Sequence, residues 1–330
     1  MRPSERLIIG DSRTVRRLRE LIRTVAPTRI PVLIYGETGT GKELVSSALH
    51  EESGRRGALV SFNVCAIAET MFEDCLFGHV RGAFTGAASD SIGLLREADG
   101  GSALFDEVSG LPVAMQAKLL RVIETGILRP VGAQRDVRSD FRVLSATNER
   151  LPGLVDVGRF RADLSHRLAG VVIEVPALRD HAEDIPALVT HFLKSFSPES
   201  PTVVDPSVVA TIMEREWLGN IRELRQVVEA AAVLGSNVID QESFSLAVES
   251  RSATSIDRPP ALSARGRLLL ELKRGDWDTA IVAERLGIHR ATVYRWMRRF
   301  NVEAPTTILE RTASAFSLVP PDRSPEVVRH

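Results

Sequence analysis

At 330 residues the chain exceeds one ordinary core and suits two or three modest domains, taking roughly 150 residues for each. An apolar share of 44% and a net charge of -1 exclude a uniformly basic nucleic-acid binder, so any such contact has to be local. No run reaches the roughly 18 apolar residues of a membrane span, and the start (MRPSERLIIGDSRTVRRL) lacks the apolar stretch of a signal peptide, which predicts a cytoplasmic location. Cys65 and Cys75 are too few for a disulfide framework and have no His or Cys neighbours at zinc-site spacing.

From Pro31 to Val175, short β-branched runs (Val32 to Tyr35, Leu59 to Asn63, Ser102 to Phe105, Arg142 to Ala146, Val171 to Val175) alternate with helical patterns such as Glu43 to Glu51 and Met115 to Glu124. This alternation predicts an α/β domain with a parallel sheet over residues 1–175. After Pro176 the strand signals stop. Three helical stretches, Ile185 to Phe196, Pro206 to Arg215 and Ile221 to Leu234, predict an all-helical subdomain over 176–248. The polar, Pro-containing stretch 249–261 reads as a linker, 262–303 as a small all-α domain, and the Pro-rich end 304–330 as a disordered tail.

The segment VLIYGETGTGKE is a predicted strand, then Gly36, Glu37, Thr38, Gly39, Thr40, Gly41 and Lys42, then a predicted helix: the context a P-loop requires. Glycines let backbone N–H groups converge on phosphate oxygens, the helix N-terminus faces them, and Lys42 adds a mobile charge. Glu43 stands where Ser or Thr ordinarily helps hold Mg2+. The apolar run ending in Asp106 and Glu107 supplies the metal group (Asp106) and a residue to orient or activate water (Glu107), so the pair of motifs predicts an ATPase using ATP and Mg2+. Asn63 and the pair Thr147-Asn148 end other predicted strands, where they either face a ligand or cap a helix. Arg161 and Arg167 fall six apart on a predicted helix, close to one face, and pair with a phosphate or with surface carboxylates.

These residues resemble the sigma-54-dependent transcriptional activators, bacterial enhancer-binding proteins of the AAA+ class, from about Ile9 to Leu234. The most specific element is Leu76-Phe77-Gly78-His79 followed by Gly82, Ala83, Phe84, Thr85, Gly86 and Ala87, an unbroken GAFTGA. Small residues let such a loop bend sharply while Phe84 offers an apolar anchor and Thr85 a hydroxyl. The resemblance implies that this loop contacts sigma-54 and moves with the nucleotide state. It further implies that Asn63 links the γ-phosphate to the loop, that Thr147-Asn148 is a first sensor, and that Arg222 in WLGNIREL is a second. It makes Arg161 and Arg167 arginine fingers reaching a neighbour's ATP in a hexameric ring. The sequence departs from the family at Leu218, where Pro is usual, at Ser165-His166 and at Leu95-Arg96. The short stretch before the match resembles members controlled by a separate regulatory protein.

Between Thr279 and Phe300, Ala283, Gly287 and Val293 stand at the offsets of a helix-turn-helix, and Val293, Trp296, Met297 and Phe300 form an apolar stripe on the second helix. His289, Arg290, Thr292, Tyr294, Arg295, Arg298 and Arg299 lie off it, with no acid between Gly287 and Arg299, a pattern suited to the major groove and to phosphates. The region resembles a Fis-type domain, which implies paired reading of a palindromic enhancer site. The function expected is ATP-driven remodelling of sigma-54 RNA polymerase to the open promoter complex. The alternative is a TyrR-like regulator of ordinary sigma-factor promoters with a vestigial ATPase.

Overall fold

The computed structural model describes residues 2–197, 202–236 and 238–252, and in the C-terminal part residues 268, 271, 272, 277–286, 290–299 and 302. The chain divides into two compact units between Ser255 and Ile256.

In chain order the strands of the first unit are β1 (Val32–Tyr35), β2 (Leu59–Asn63), β3 (Ser102–Asp106), β4 (Ile127–Leu128), β5 (Val137–Arg138), β6 (Arg142–Thr147), β7 (Val171–Glu174), β8 (Val203–Val204) and β9 (Val238–Ile239). Five make a parallel sheet in the order β2-β3-β6-β1-β7, and β4 and β5 form a small antiparallel hairpin beside it. The helices before the lid are α1 (Pro3–Leu7), α2 (Arg13–Val25), α3 (Lys42–Glu52), α4 (Phe72–Phe77), α5 (Leu94–Glu97), α6 (Val113–Thr125), α7 (Leu151–Asp156) and α8 (Ala162–Leu168).

The strands read as near-continuous apolar runs because both faces of the sheet are covered. Val32, Ile34, Leu104, Leu144 and Ala146 pack on α2 and α3, while Leu33, Val60, Phe62, Ala103 and Phe105 pack on α6 and α8. Each such buried Leu, Ile, Val or Phe contributes about 1.5–3 kcal/mol of apolar transfer. Arg142 starts β6 fully buried, donating to the Ala26 and Val25 carbonyls at the C-terminus of α2 (2.6 and 2.9 Å), and burial holds its guanidinium down at about 10.

The lid holds α9 (Ile185–Phe196), α10 (Pro206–Glu214), α11 (Asn220–Leu234) and α12 (Gln241–Ser252) around Leu188, Phe192, Trp217, Leu224 and Phe244. The sequence predicts three helices and no strands here. The structure adds α12, which continues three residues past the predicted linker start, and a parallel pair of β8 with β9. α12 buries few apolar residues, Phe244 and Ala247 among them, and two-residue strands carry no alternation.

In the second unit, α13 (Thr279–Leu286) and α14 (Arg290–Arg299) pack through Val282, Ala283 and Val293 with Leu268, Leu272 and Val302. Trp296 and Met297 are half-buried against this cluster, as the stripe predicts. Gly287, His289, Phe300 and the tail 304–330 lie outside the described residues.

Candidate nucleotide site and its loop

The cradle follows β1. Gly39 and Gly41 take left-handed φ values of 83 and 94°. A Cβ on Gly39 would meet the Gly219 carbonyl of the lid at 2.2 Å, so only glycine fits. Lys42 opens α3 and is buried. Its Nζ donates to the carbonyls of Gly36 (3.0 Å) and Glu37 (3.3 Å) and lies 3.9 Å from Glu107 Oε1. Thr40 is buried with its hydroxyl on Glu37 O (2.8 Å), whereas Glu43 is exposed in the first turn of α3.

Strand register sets the opposing groups. Asn63 is the Cα partner of Asp106, and Tyr35 of Thr147, so these C-terminal strand ends align beside the cradle. The Gly36 N–H donates to Thr147 O (3.2 Å), and Asn148 Nδ2 donates to Thr38 Oγ1 (3.2 Å). Thr147 Oγ1 accepts from Glu149 N (3.0 Å), and Asn63 Oδ1 accepts from Cys65 N (2.8 Å), capping the turn Val64–Ala66. Glu107 has φ 52° and ψ 47°, a left-handed conformation that costs a non-glycine residue about 1–3 kcal/mol. Its N–H donates to Asp106 Oδ1 (3.1 Å). Burial is the main influence on both partners of the Lys42–Glu107 pair, raising the Glu107 carboxyl and lowering the Lys42 ammonium, and it outweighs their attraction.

Among the described residues no cluster of three or more His, Cys, Asp or Glu suits a metal. Asp106 at the strand end matches what Mg2+ needs beside phosphates, one or two carboxylates with substrate oxygens completing the shell.

The sequence reading took Glu37 only as cradle backbone and missed its partners. Arg179 binds it through two hydrogen bonds (2.9 and 2.5 Å), and Asn220 Nδ2 donates to Glu37 Oε2 and to Thr38 O (both 3.1 Å). Asn220 is buried, has φ 54°, and accepts from Leu178 N at 2.9 Å. The Arg179 hydrogen bond, aided by Asn220, holds the Glu37 carboxyl down at about 2. Arg222 stands two residues on in α11, its N–H donating to Gly39 O (3.2 Å). Also missed is an apolar cleft of about 70 Å³ behind the cradle, lined by Ile9, Gly41, Leu44, Pro176, His181 and Ile221 among others. A cleft of about 760 Å³ bounded by Arg13, Arg17, Arg150 and Arg179 is wider, but of the cradle it reaches only Gly36 and Glu37.

Arg161 and Arg167 are both exposed, and among the described residues neither touches the cradle of its own chain. They do not share a helix face. Arg161 is the extended N-cap residue of α8, paired with Asp163 (2.8 Å), and Arg167 lies in the last turn. Six positions also rotate side chains roughly 120° apart on a helix.

The loop from Gly78 to Gly93 is closed at its base by backbone contact. A Cβ on Gly78 would lie 2.1 Å from Ser91 O, and one on Gly93 would lie 2.3 Å from Gly78 N. Val80 N donates to Val131 O (3.1 Å) and Val131 N to Gly78 O (2.8 Å), so the segment joining β4 to β5 supports the same base. At the tip Gly82 N donates to Ala87 O (2.9 Å) and Ala87 N to Phe84 O (3.1 Å), with Gly82 and Gly86 at φ 80 and 107°. Phe84 is 45% exposed, its ring edge-on to His79 at 5.0 Å, and His79 is hydrogen-bonded to Asp74. Ala83, Thr85 and Gly86 form the tip with it, and Ala87 is buried.

On α14, Arg295 and Arg298 are exposed and Thr292 is half-buried. Arg290 and Tyr294 are engaged with the preceding helix: Arg290 Nε donates to Thr279 Oγ1 (2.9 Å), Thr279 Oγ1 to Tyr294 OH (3.2 Å), and the guanidinium sits over the Tyr294 ring at 5.8 Å. Arg299 ends the helix.

The parallel sheet, cradle and helical lid define an AAA+ α/β domain, joined to a helical DNA-binding-type domain. Sequence profiles agree: Sigma-54 interaction domain over residues 8–174, AAA+ ATPase lid domain over 179–259 and Homeodomain-like domain over 259–306. The chain belongs to the family of sigma-54-dependent transcriptional regulators. It is 36% identical to the anaerobic nitric oxide reductase transcription regulator NorR of Vibrio vulnificus (strain YJ016), covering 90% of this chain and 63% of NorR. It is 38% identical to the transcriptional regulatory protein ZraR of Escherichia coli (strain K12), over 88% of this chain and 68% of ZraR. The chain thus spans less than two thirds of the NorR length. The structure of NtrX from Brucella abortus in complex with ADP superposes with a TM-score of 0.67 at 32% identity, over 88% of this chain and 68% of NtrX. NtrX has also been solved in complex with ATP, with a TM-score of 0.67 at 30% identity. Of the family departures, Leu218 is 78% exposed, so no packing depends on a Pro there.

Proposed function

We propose that this chain is an ATP-driven transcriptional activator that binds enhancer DNA and remodels sigma-54 RNA polymerase to the open promoter complex. The observation that carries the reading is the shared register of β2 and β3. It sets Asn63 beside Asp106 and Glu107, and the chain leaving Asn63 leads through α4 to the GAFTGA loop.

In this reading the backbone of Gly36 to Gly41 and the Lys42 ammonium bind the phosphates, and the cleft behind Gly41 takes the base. Asp106 would hold Mg2+, which when bound would supply neutralisation of the developing phosphate charge. Glu107 orients and deprotonates the attacking water, a task favoured by a carboxyl raised toward neutral pH. Asn63 passes the phosphate state to the loop, Thr147-Asn148 and Arg222 sense it from the sheet and the lid, and Arg161 and Arg167 complete the site of the next subunit in a hexamer. Gly82 to Ala87 press on sigma-54. Arg295 and Arg298 read or neutralise DNA, while Arg290 and Tyr294, tied to Thr279, set the angle of α14. The working modules are the ATPase domain 1–175, a lid that runs from 176 to the end of α12 at Ser252, a linker to 261, reader 262–303 and tail 304–330, in the cytoplasm.

Transcription from a sigma-54 promoter tests the loop assignment. Thr85→Ala is expected to abolish open-complex formation while ATP turnover continues, since Thr85 lies at the exposed tip far along the chain from the cradle. Retained open complexes with this variant would overturn the assignment.

A further inference from the structure

The wide cleft bounded by Arg13, Arg17, Arg150 and Arg179 lies along the outer edge of the parallel sheet, where β7 is the last strand. Val171 N–H donates to Pro31 O (3.0 Å) and Val175 N–H to Tyr35 O (2.7 Å), so residues 171, 173 and 175 direct their backbone groups to β1. Strand alternation turns the N–H and C=O of Val172 and Glu174 the other way, toward the cleft that both residues line. Among the described residues no strand or backbone group pairs with them. Pro176, which has no N–H, closes the edge.

Sheet edges are ordinarily blunted by lysine, proline or a covering segment, because their unpaired backbone accepts another strand. This edge instead presents Val172, 52% exposed, and Glu174, whose carboxylate pairs with Arg150 at 3.3 Å. The two sides of the edge differ. Ile173 and Val175 are buried toward α2, whereas Val172 and Glu174 lie on the opposite face with Arg150, whose guanidinium sits over the Tyr35 ring at 4.6 Å. On the α2 side, Arg13 and Arg17 are exposed and make no ion pair or side-chain hydrogen bond among the described residues. Arg179 is engaged with Glu37, and Asp180, the remaining acid of the wall, acts on Arg179. The unbalanced charge of the cleft is therefore the positive pair on α2.

We infer that the β7 edge is a docking site for an extended acidic segment of another protein, which joins the sheet as a further strand. Arg13 and Arg17 stand four residues apart, about 6 Å along the α2 axis, and alternate side chains of a strand recur at about 6.6 Å, so two carboxylates on one face of the incoming strand match them. Its other face carries apolar side chains onto Val172, while its backbone meets the free groups of Val172 and Glu174. A second copy of this chain fits poorly, because pairing two β7 edges brings both sets of arginines to one seam. Nucleic acid would use the arginines but leave Val172 and the edge N–H groups without a partner. The docked segment lies beside the tie between cradle and lid, since Arg179 and Glu37 belong to the same cleft.

The probe is a short acetylated and amidated peptide alternating Glu and Val, titrated into the full chain by calorimetry, with hydrogen–deuterium exchange followed across β7. Saturable binding is expected, with slower exchange at the Val172 and Glu174 amides and no change at Ile173, which already faces β1. Joint Arg13→Ala and Arg17→Ala replacement, with circular dichroism to verify folding, is expected to weaken binding roughly two- to thirtyfold, the combined effect of two exposed ion pairs. The same peptide with Lys in place of Glu is expected not to bind. Absence of binding, or binding that leaves exchange at Val172 and Glu174 unchanged, overturns the proposal. Equal binding of the Lys peptide does so too, and both of these measurements use the unaltered chain, so they decide even where the double variant does not fold. Tighter binding of single-stranded DNA of equal charge, lost in the folded double variant, would assign the arginines to phosphate and overturn it as well.

Discussion

The phosphate cradle and the GAFTGA loop are both glycine-rich turns, but they are held in different ways. The cradle is fixed by residues far away in sequence: Gly39 lies against the lid backbone, and Glu37 is held by Arg179 and Asn220. The loop is fixed at its base, where Gly78 and Gly93 meet back to back, and its tip is closed by its own backbone hydrogen bonds, with Ala83 close against Gly132 and the Phe84 ring against His79. Space around a Cβ separates them again, since Gly82 and Gly86 have nothing within 4 Å. Glycine serves close approach in the cradle and left-handed dihedral angles at the loop tip. The cradle is thereby anchored by distant parts of the chain, whereas Gly82 and Gly86 at the loop tip are not.

The largest effect that would sharpen this contrast comes from Arg161→Ala. Arg161 touches no cradle residue of its own chain, so the loss should appear only in assembled protein. If Arg161 acts as the proposed arginine finger, turnover per subunit is expected to fall roughly 10³- to 10⁵-fold, and turnover of the unaltered chain should rise with protein concentration. Steady-state ATPase assays over a concentration series check both. Concentration-independent turnover would contradict a site shared between subunits.

Gly78→Ala is a smaller lesion aimed at the loop side. The φ of 75° alone costs a non-glycine residue about 1–3 kcal/mol, and the added Cβ also meets Ser91 O at 2.1 Å, so the conflict falls on the loop base. Open-complex formation is expected to drop severely while ATP turnover changes little. If turnover falls in parallel, the two regions are not mechanically separable and the contrast breaks.

The same contrast explains what the sequence disclosed. The five sheet strands were legible to within a residue or two because each is buried on both faces, and Lys42, Asp106 and Glu107 because they sit at fixed offsets from those strands. The loop base was not legible, since it depends on Val131, about fifty residues downstream in a hairpin of two-residue strands. Asn220 and Arg179 were equally hidden. Their partner Glu37 is 183 and 142 positions away, and a contact of that span leaves no local pattern. Arg161 was misplaced on a helix because an N-cap Arg is uncommon, and the cap becomes apparent only from its extended backbone. The cleft behind the cradle escaped notice because its lining comes from four separate stretches of chain.

The smallest predicted effect probes the tie that holds the cradle to the lid. Glu37 is lowered from its ordinary value near 4.5 to about 2, foremost by the Arg179 hydrogen bond. A carboxyl lowered in the folded state stabilises that state fully above its unfolded value, and the contribution disappears as pH falls through the folded one. The stability difference between the unaltered chain and Glu37→Gln should therefore be level at neutral pH, shrink as pH drops from about 4.5 toward about 2, and vanish below that. Both side chains of the pair are about half exposed, so water and salt screen it, and the plateau should lie below about 1 kcal/mol and decline with added salt. Denaturant midpoints across that pH range measure it. A difference that persists unchanged to pH 2 would mean that the glutamine fails for its shape and that charge does not bind cradle to lid. The Asn220 hydrogen bonds to Glu37 and Thr38 O would then be the main tie, and Asn220→Ala the variant that loosens nucleotide binding most.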